Sequence, residues 1–274
     1  MKRAAVIIIN RNLPEVTDRL RQFIKSSDGD VADVFVIESG SDPDKLSRYH
    51  TWWANWEESV AQGLRTPRGF NYALSRLLEE NRFKDYDFFF LLPNDAEFEG
   101  PGAVKRLMKE MELHPRLGIL APCAKTWGEY RLLGKNVTKY FWYISPGPWF
   151  FRRQYIEDVM ERDSPDHMNF LYDGTNFRGY ESNIELIAKG YANDWGSAIT
   201  TKVMVQENES YLKTRAEVIK TDPYETNMLK YVEEGKKWLR RKYGFNNRWT
   251  LQMYSKFFYE KFFDYYPGLK KYRI

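Results

Sequence analysis

The chain has 274 residues, of which 43% are hydrophobic and 29% charged, a balance that excludes wholesale disorder at a length that can bury a sizeable core. A single cysteine, Cys123, excludes an intramolecular disulfide, and no Cys/His cluster has the spacing of zinc ligands. The net charge of +4 is unevenly spread: residues 229–274 hold 12 Lys/Arg against 4 Asp/Glu, or +8, which leaves −4 on residues 1–228.

Ala4 to Ile9 is a continuous apolar, β-branched run, the pattern of a strand buried on both faces of a mainly parallel sheet. Pro14 and Glu15 open a helical pattern to about Ile24. Val34-Phe35-Val36-Ile37 then repeats the strand signature, and Glu38 to Pro43 ends it with turn residues. Residues 44–66, with Trp52, Trp53 and Trp56, carry no clear period. Gly69 to Asn81 predicts a helix. Tyr86 to Leu92 is the most apolar strand candidate, and it runs directly into Pro93-Asn94-Asp95-Ala96-Glu97. Gly102 to His114 predicts a helix and Gly118 to Pro122 a short strand. A strand-like aromatic stretch at Tyr140 to Phe151 precedes a helix at Gln154 to Glu161, and Asn183 to Lys189 reads as one more helix, ended by Gly190.

This alternation predicts an α/β fold, an open, mostly parallel sheet flanked by helices that binds ligands at the carboxyl ends of its strands. The alternation stops near residue 205. The expected organisation is therefore a nucleotide-binding catalytic domain over 1–205 and a helical, basic and aromatic C-terminal extension over 206–274.

Lys/Arg interleaved with aromatics suits an anionic membrane surface, a single-stranded nucleic acid, or a packed helix with a solvated cationic face. The apolar N-terminal run is too short for a signal peptide, and no stretch of 18 apolar residues occurs. The location expected from these features is cytoplasmic, with peripheral membrane contact as one use of the extension.

Asp95 and Glu97 are two residues apart, so both face one side of a continuing strand or converge in a turn. Hard cations such as Mg²⁺ and Mn²⁺ take oxygen ligands, commonly one or two carboxylates completed by substrate phosphates. A solvated loop end explains most isolated Asp-x-Glu pairs; here the position after Phe88 to Leu92, at a strand's carboxyl end, favours the functional reading.

Four segments stand in order: Ala5 to Asn10, Val36 to Ser41, Gly69-Phe70-Asn71-Tyr72-Ala73 and Phe89 to Glu97. With Phe177 to Leu186 and Lys189-Gly190-Tyr191 they resemble family 2 glycosyltransferases of the GT-A fold, in particular the rhamnosyltransferase-like branch, over about residues 4–195. The resemblance implies a metal-dependent inverting enzyme, a hexosyl- or pentosyltransferase, that uses a UDP- or dTDP-linked sugar and Mn²⁺ or Mg²⁺. Its other partner would be a glycan or glycolipid acceptor.

Carried over by position, the resemblance puts Asn10 and Arg11 on the nucleobase side and Glu38 at the acidic residue that contacts uridine. Arg68, Asn71 and Asn94 would lie by the donor. Asp95 would be the principal metal ligand and Glu97 its companion. Glu181 is the first choice for the general base, with Asp173 in reserve, although Ser182 replaces the second acid of the family's usual pair. Trp149 and Tyr180 are acceptor-side candidates. None of His50, His114 and His167 is assigned as a metal ligand.

Other readings find less support. A dinucleotide oxidoreductase would need Gly-x-Gly-x-x-Gly after the first strand, where Asn10-Arg11-Asn12-Leu13 stands, and no P-loop occurs. A nucleic-acid-binding module built on the extension, or a degenerate protein that binds sugar nucleotides without turnover, remain as alternatives. The transferase reading expects no nucleic-acid partner.

Overall fold

A computed structural model describes residues 2–208 and 210–274. Its first half contains β1 (Ala4–Asn10), α1 (Pro14–Asp28), β2 (Ala32–Ser39), β3 (Trp52–Ala54), α2 (Glu57–Gln62), α3 (Arg65–Glu79), β4 (Phe88–Pro93), β5 (Ala96–Phe98) and α4 (Ala103–Leu113). There follow β6 (Leu117–Cys123), β7 (Thr138–Tyr140), β8 (Trp149–Arg152), α5 (Arg153–Val159), α6 (Ser182–Ala192) and β9 (Gly196–Glu207). The extension folds as α7 (Ser210–Thr214), α8 (Ala216–Ile219), α9 (Tyr224–Tyr243) and α10 (Arg248–Tyr265).

The strands form one sheet in the order β3-β2-β1-β4-β8-β6-β9-β5, with β7 paired to β9. Strands β3, β2, β1 and β4 run parallel, while β8 enters antiparallel between β4 and β6. Strand β1 is central because it is apolar on both faces: Ala4 to Ile8 are fully buried. Phe88 to Leu92 in β4 are no more than 1% exposed, and each such side chain stabilises the fold by about 1.5–3 kcal/mol. Chain order reverses at β1, with β2 on one side and β4 on the other, so a crevice opens beyond their carboxyl ends. This reversal positions the site.

The aromatic stretch at Tyr140 to Phe151 proves to be two strands separated by a loop. Tyr140 ends β7 against Ala198 of β9, whereas Phe150 pairs with Phe90 of β4. Residues 44–66 hold the short β3 and α2, where Trp52 stacks on Phe35 at 5.2 Å. The extension shares the core of the sheet domain: Trp238, Leu239, Tyr259, Phe262 and Phe263 belong to the same buried cluster as β1 and β4. Among the described residues no helix is long and apolar enough to cross a membrane.

Candidate active site

A cleft of about 350 Å³ lies over the ends of β1, β2 and β4. Arg11, Arg65, Asn94, Asp95 and Arg178 line it from the sheet domain, and Tyr211, Lys220, Thr221, Asn227 and Tyr231 close it from the extension. The extension is therefore a wall of the site.

Asn10 organises the floor. Its carboxamide oxygen accepts from the Leu13 backbone N–H at 3.1 Å and from Asn94 Nδ2 at 3.0 Å, and its Nδ2 donates to both Glu38 oxygens at 3.1 and 2.9 Å. These bonds tie the ends of β1, β2 and β4 together. Glu38 also accepts from Ser41 Oγ at 2.5 Å and the Ser47 N–H at 2.7 Å, and it is fully buried. Burial pushes its carboxyl above the usual range. Asn10 and Glu38 thus lie beneath the cleft and do not line it.

Arg11 lines the cleft, but its guanidinium is occupied. It donates to the carbonyls of Ile219 (2.7 Å), Ser39, Ser59 and Val60 (each 3.0 Å) and Ala61 (3.4 Å), which binds α8 to the sheet edge. Gly40 completes this corner. It has φ +70°, and a Cβ there would stand 1.8 Å from the Ser59 carbonyl oxygen.

Arg65 is placed differently. It opens α3 with φ +55° and donates through Nη2 to Thr221 Oγ1 at 2.6 Å, while its buried Nε has no hydrogen-bond partner. Burial, followed by the repulsion of Arg178 and Arg11, lowers its pKa to about 10. Arg178 is neutralised by Asp222 at 2.9 Å and by Glu234, and it also donates to Asn227 Oδ1 at 3.1 Å. Arg65 is thus a desolvated cation on the wall of the cleft. Its position is hard to see in the sequence, because the helical period there suggests a start at Gly69, four residues later.

Asp95 occupies the turn between β4 and β5 and lines the cleft, and its carbonyl oxygen accepts from the Asn208 N–H at 3.0 Å. Asn94 beside it donates to Asn10 and, at 3.1 Å, to Thr17 Oγ1. Glu97 is exposed on β5 and accepts from Asn208 Nδ2 at 3.0 Å. It is absent from the main cleft but meets Asp95 at a second depression of about 360 Å³ beside α1. Among the described residues no group of three or more His, Cys, Asp or Glu could hold a metal ion. Asp95 and Glu97, which line one depression, are hard oxygen donors of the type that Mg²⁺ and Mn²⁺ take together with substrate oxygens.

Arg68 and Asn71 point away from the cleft. Arg68 donates to the Gly174 carbonyl at 2.8 Å and pairs with Glu58 at 2.7 Å. Asn71 is fully buried and accepts from the N–H groups of Leu171 (3.0 Å) and Tyr172 (2.9 Å), while donating to the Tyr172 carbonyl at 2.7 Å. Both pin the 167–174 loop to α3. Trp149 is a core residue on β8, 2% exposed, with its Nε1 donating to the Ser145 carbonyl at 3.2 Å.

Glu181 stands at the start of α6 with φ +56°, an arrangement costly for a residue with a side chain. Its Oε2 accepts from Gln252 Nε2 of α10 at 2.9 Å. Burial raises its pKa, against the opposing pull of Gln252 and Arg248. Tyr180 packs edge-on against Tyr231 at 5.1 Å, and Tyr231 forms part of the cleft wall. Burial, with the negative charge of the Glu181 carboxylate adding to it, pushes the Tyr231 hydroxyl up to about 12; Glu181 itself is buried and does not line the cleft.

Asp173 is held otherwise. It accepts from Thr175 Oγ1 (2.6 Å), Lys242 Nζ (2.8 Å) and Trp238 Nε1 (2.9 Å). These partners overcome burial and hold its carboxyl well below the usual range. Such a group anchors α9 and is poorly suited to accept a proton.

No protein-family model matches the sequence, and no curated protein matches it significantly. The fold is similar to that of GalNAc-T7 in its crystal structure with UDP, GalNAc and Mn²⁺, with a TM-score of 0.56 at 10% identity over 98% of this chain and 58% of that one. It is also similar to S. aureus TarS, with a TM-score of 0.50 at 12% identity over 90% of this chain and 44% of that one. The chain thus spans about half the length of these proteins, and what it has in common with them is the GT-A-like fold.

Proposed function

We propose that this chain is a glycosyltransferase that moves a sugar from a nucleotide-diphosphate donor, UDP-linked, to a hydroxyl of a glycan or glycolipid with inversion at the anomeric carbon. The observation that carries the proposal is the position of Asp95, in the turn after β4 at the crevice where strand order reverses, lining the same cleft as the desolvated Arg65. A carboxylate and a desolvated guanidinium on one cleft suit a metal-bound diphosphate, whose charge they share. The GalNAc-T7 structure, of the same fold, contains UDP and Mn²⁺.

In this reading Asp95, with Glu97 as its companion, would hold Mn²⁺ or Mg²⁺, which when bound neutralises charge on the departing diphosphate. Arg65 contributes a fixed positive charge to the same end. Asn10 and Glu38 act from below by holding Asn94, and with it the Asp95 turn, in register. Glu181, bonded to Gln252 and next in sequence to the Tyr180 that packs on Tyr231, would take the proton from the attacking hydroxyl, a role favoured by its raised pKa.

The test is thermal stabilisation by a panel of nucleotide sugars with and without Mn²⁺, since a ligand of the native state raises the melting temperature by mass action. A UDP-sugar that stabilises the chain only with metal, and is then transferred or hydrolysed, supports the proposal. No shift with any nucleotide sugar would overturn it. Metal-dependent stabilisation with no turnover would leave a sugar-nucleotide-binding protein.

A further inference from the structure

Helix α10 is apolar on two opposite sides. Leu251, Tyr259, Phe262 and Phe263 are buried, and the aromatic members pack on Tyr140 and Tyr191 of the sheet domain. On the other side Trp249, Met253 and Phe257 follow one another at four-residue steps and are 61%, 72% and 54% exposed. Four-residue steps keep side chains in one row along a helix. A helix with apolar rows on two opposite sides has two faces to cover, yet among the described residues no element buries this ridge.

The charges beside the ridge are cationic in excess: Arg248, Lys256 and Lys261 on α10 stand against Glu260 and Asp264, and Lys261 pairs with Asp264 at 3.6 Å. The Arg248 guanidinium lies 4.9 Å from the Trp249 ring and Lys261 Nζ lies 5.9 Å from the Phe257 ring. Lys256 is exposed between them, and residues 229–274 as a whole carry 12 Lys/Arg against 4 Asp/Glu.

We infer that α10 docks on the surface of an anionic lipid bilayer, with Trp249, Met253 and Phe257 seated at the headgroup level and the neighbouring Lys and Arg side chains against lipid phosphates. A row of large apolar groups rimmed by cations is what an interfacial helix presents. A second copy of the chain would bring two faces of like charge together, an arrangement that opposes association. A nucleic acid would need its phosphates, rather than an apolar phase, along the ridge itself.

The docking stands on the exposed ridge and its charged rim, independently of any enzymatic activity. Joined to the transferase proposal, on which this clause rests, it makes the acceptor one carried at a membrane, because Gln252 on the covered side of the same helix holds Glu181.

The test uses the full chain and vesicles of phosphatidylcholine, either pure or with a phosphatidylglycerol fraction of about one third, read by co-sedimentation at two salt concentrations. The expected result is binding to the anionic vesicles, weakened by salt and lowered about tenfold or more in the double variant M253E/F257E. Both positions are exposed, so the variant should keep the wild-type melting temperature. No binding to anionic vesicles, or equal binding by wild type and a folded variant, would overturn the inference. So would a ridge-dependent dimer in ultracentrifugation, or ridge-dependent oligonucleotide binding, without vesicle binding. Because no donor is present, failure here leaves the transferase proposal standing, and failure of the nucleotide-sugar panel leaves the docking standing.

Discussion

Gln252 on α10 donates a 2.9 Å hydrogen bond to the Oε2 of Glu181, whose backbone is held in the left-handed region at the start of α6. One hydrogen bond thus joins the extension to the candidate base. Burial raises the Glu181 pKa, and the Gln252 bond and the Arg248 charge offset it only in part. Glu181→Gln should reduce transfer by about 10²–10⁴-fold while leaving donor affinity unchanged. Gln252→Leu removes a bond that favours the charged carboxylate, so the pKa rises further and the acidic limb of the rate profile moves to higher pH. An unmoved limb in Gln252→Leu, measured as kcat/KM against pH, would remove Glu181 from the role of base.

Asp95 and Glu97 should behave unequally. Asp95 lines the main cleft, whereas Glu97 faces Asn208 on the exposed side of β5. Asp95→Ala should abolish Mn²⁺-dependent donor binding in a variant that stays folded, because the residue lies in a half-buried turn between β4 and β5 and not in the core. Glu97→Ala should weaken it by about tenfold or less. Calorimetric titration of each variant with UDP-sugar and Mn²⁺ decides this, and equal losses would mean that both carboxylates ligate directly.

Arg65 offers a separation of function from stability. Its Nε is buried without a partner, and its charge is opposed by Arg178 and Arg11. Arg65→Met keeps the apolar stem and relieves that repulsion, so the melting temperature should hold or rise. Affinity for a nucleotide diphosphate should fall by about tenfold or more, the loss of a charge-assisted hydrogen bond of about 1.5–3 kcal/mol. Binding equal to wild type would exclude Arg65 from the diphosphate.

The sheet was legible in the sequence because β1, β2 and β4 are apolar on both faces and need no partner to be recognised. The position of Asp95 followed from them. Side-chain roles were much less legible. Asn71 looks like a donor contact in its motif, yet it is consumed by Leu171 and Tyr172, 100 and 101 positions downstream. Glu38, Arg11 and Arg68 are likewise spent on hydrogen bonds within the protein, because a tight junction of loops must satisfy its own polar groups. The wall formed by Tyr211, Lys220 and Tyr231 was invisible for another reason. It comes from a segment whose local pattern gives only helices, and its place over the cleft is a tertiary fact.

The Asp173 cluster gives a pH signature. Its folded pKa lies below the ordinary carboxyl value of about 3.9, so its stabilisation is present above that value and is lost as pH falls through the folded pKa. Asp173→Asn should cost about 1–3 kcal/mol at neutral pH, because Lys242 and Trp238 lose a charged acceptor. The gap between wild type and variant in urea denaturation should narrow on acidification below about pH 4. A gap independent of pH would show that the residue acts through packing alone.

The seating of α9 rests on a glycine. A Cβ at Gly235 would stand 2.2 Å from Tyr180 Cβ, a contact that neither partner can relieve by side-chain rotation. Tyr180 is 5% exposed and packs on Tyr231, so the ring has no room to retreat. Gly235→Ala should therefore lift α9 from the sheet domain despite the better helix propensity of alanine, at a cost of about 1–3 kcal/mol or more. Because α9 carries Asn227 and Tyr231 into the cleft wall, the displacement should also weaken donor binding and speed hydrogen exchange through residues 224–243. A variant with wild-type exchange in that helix and a higher melting temperature would mean that α9 is not held against Tyr180 in solution.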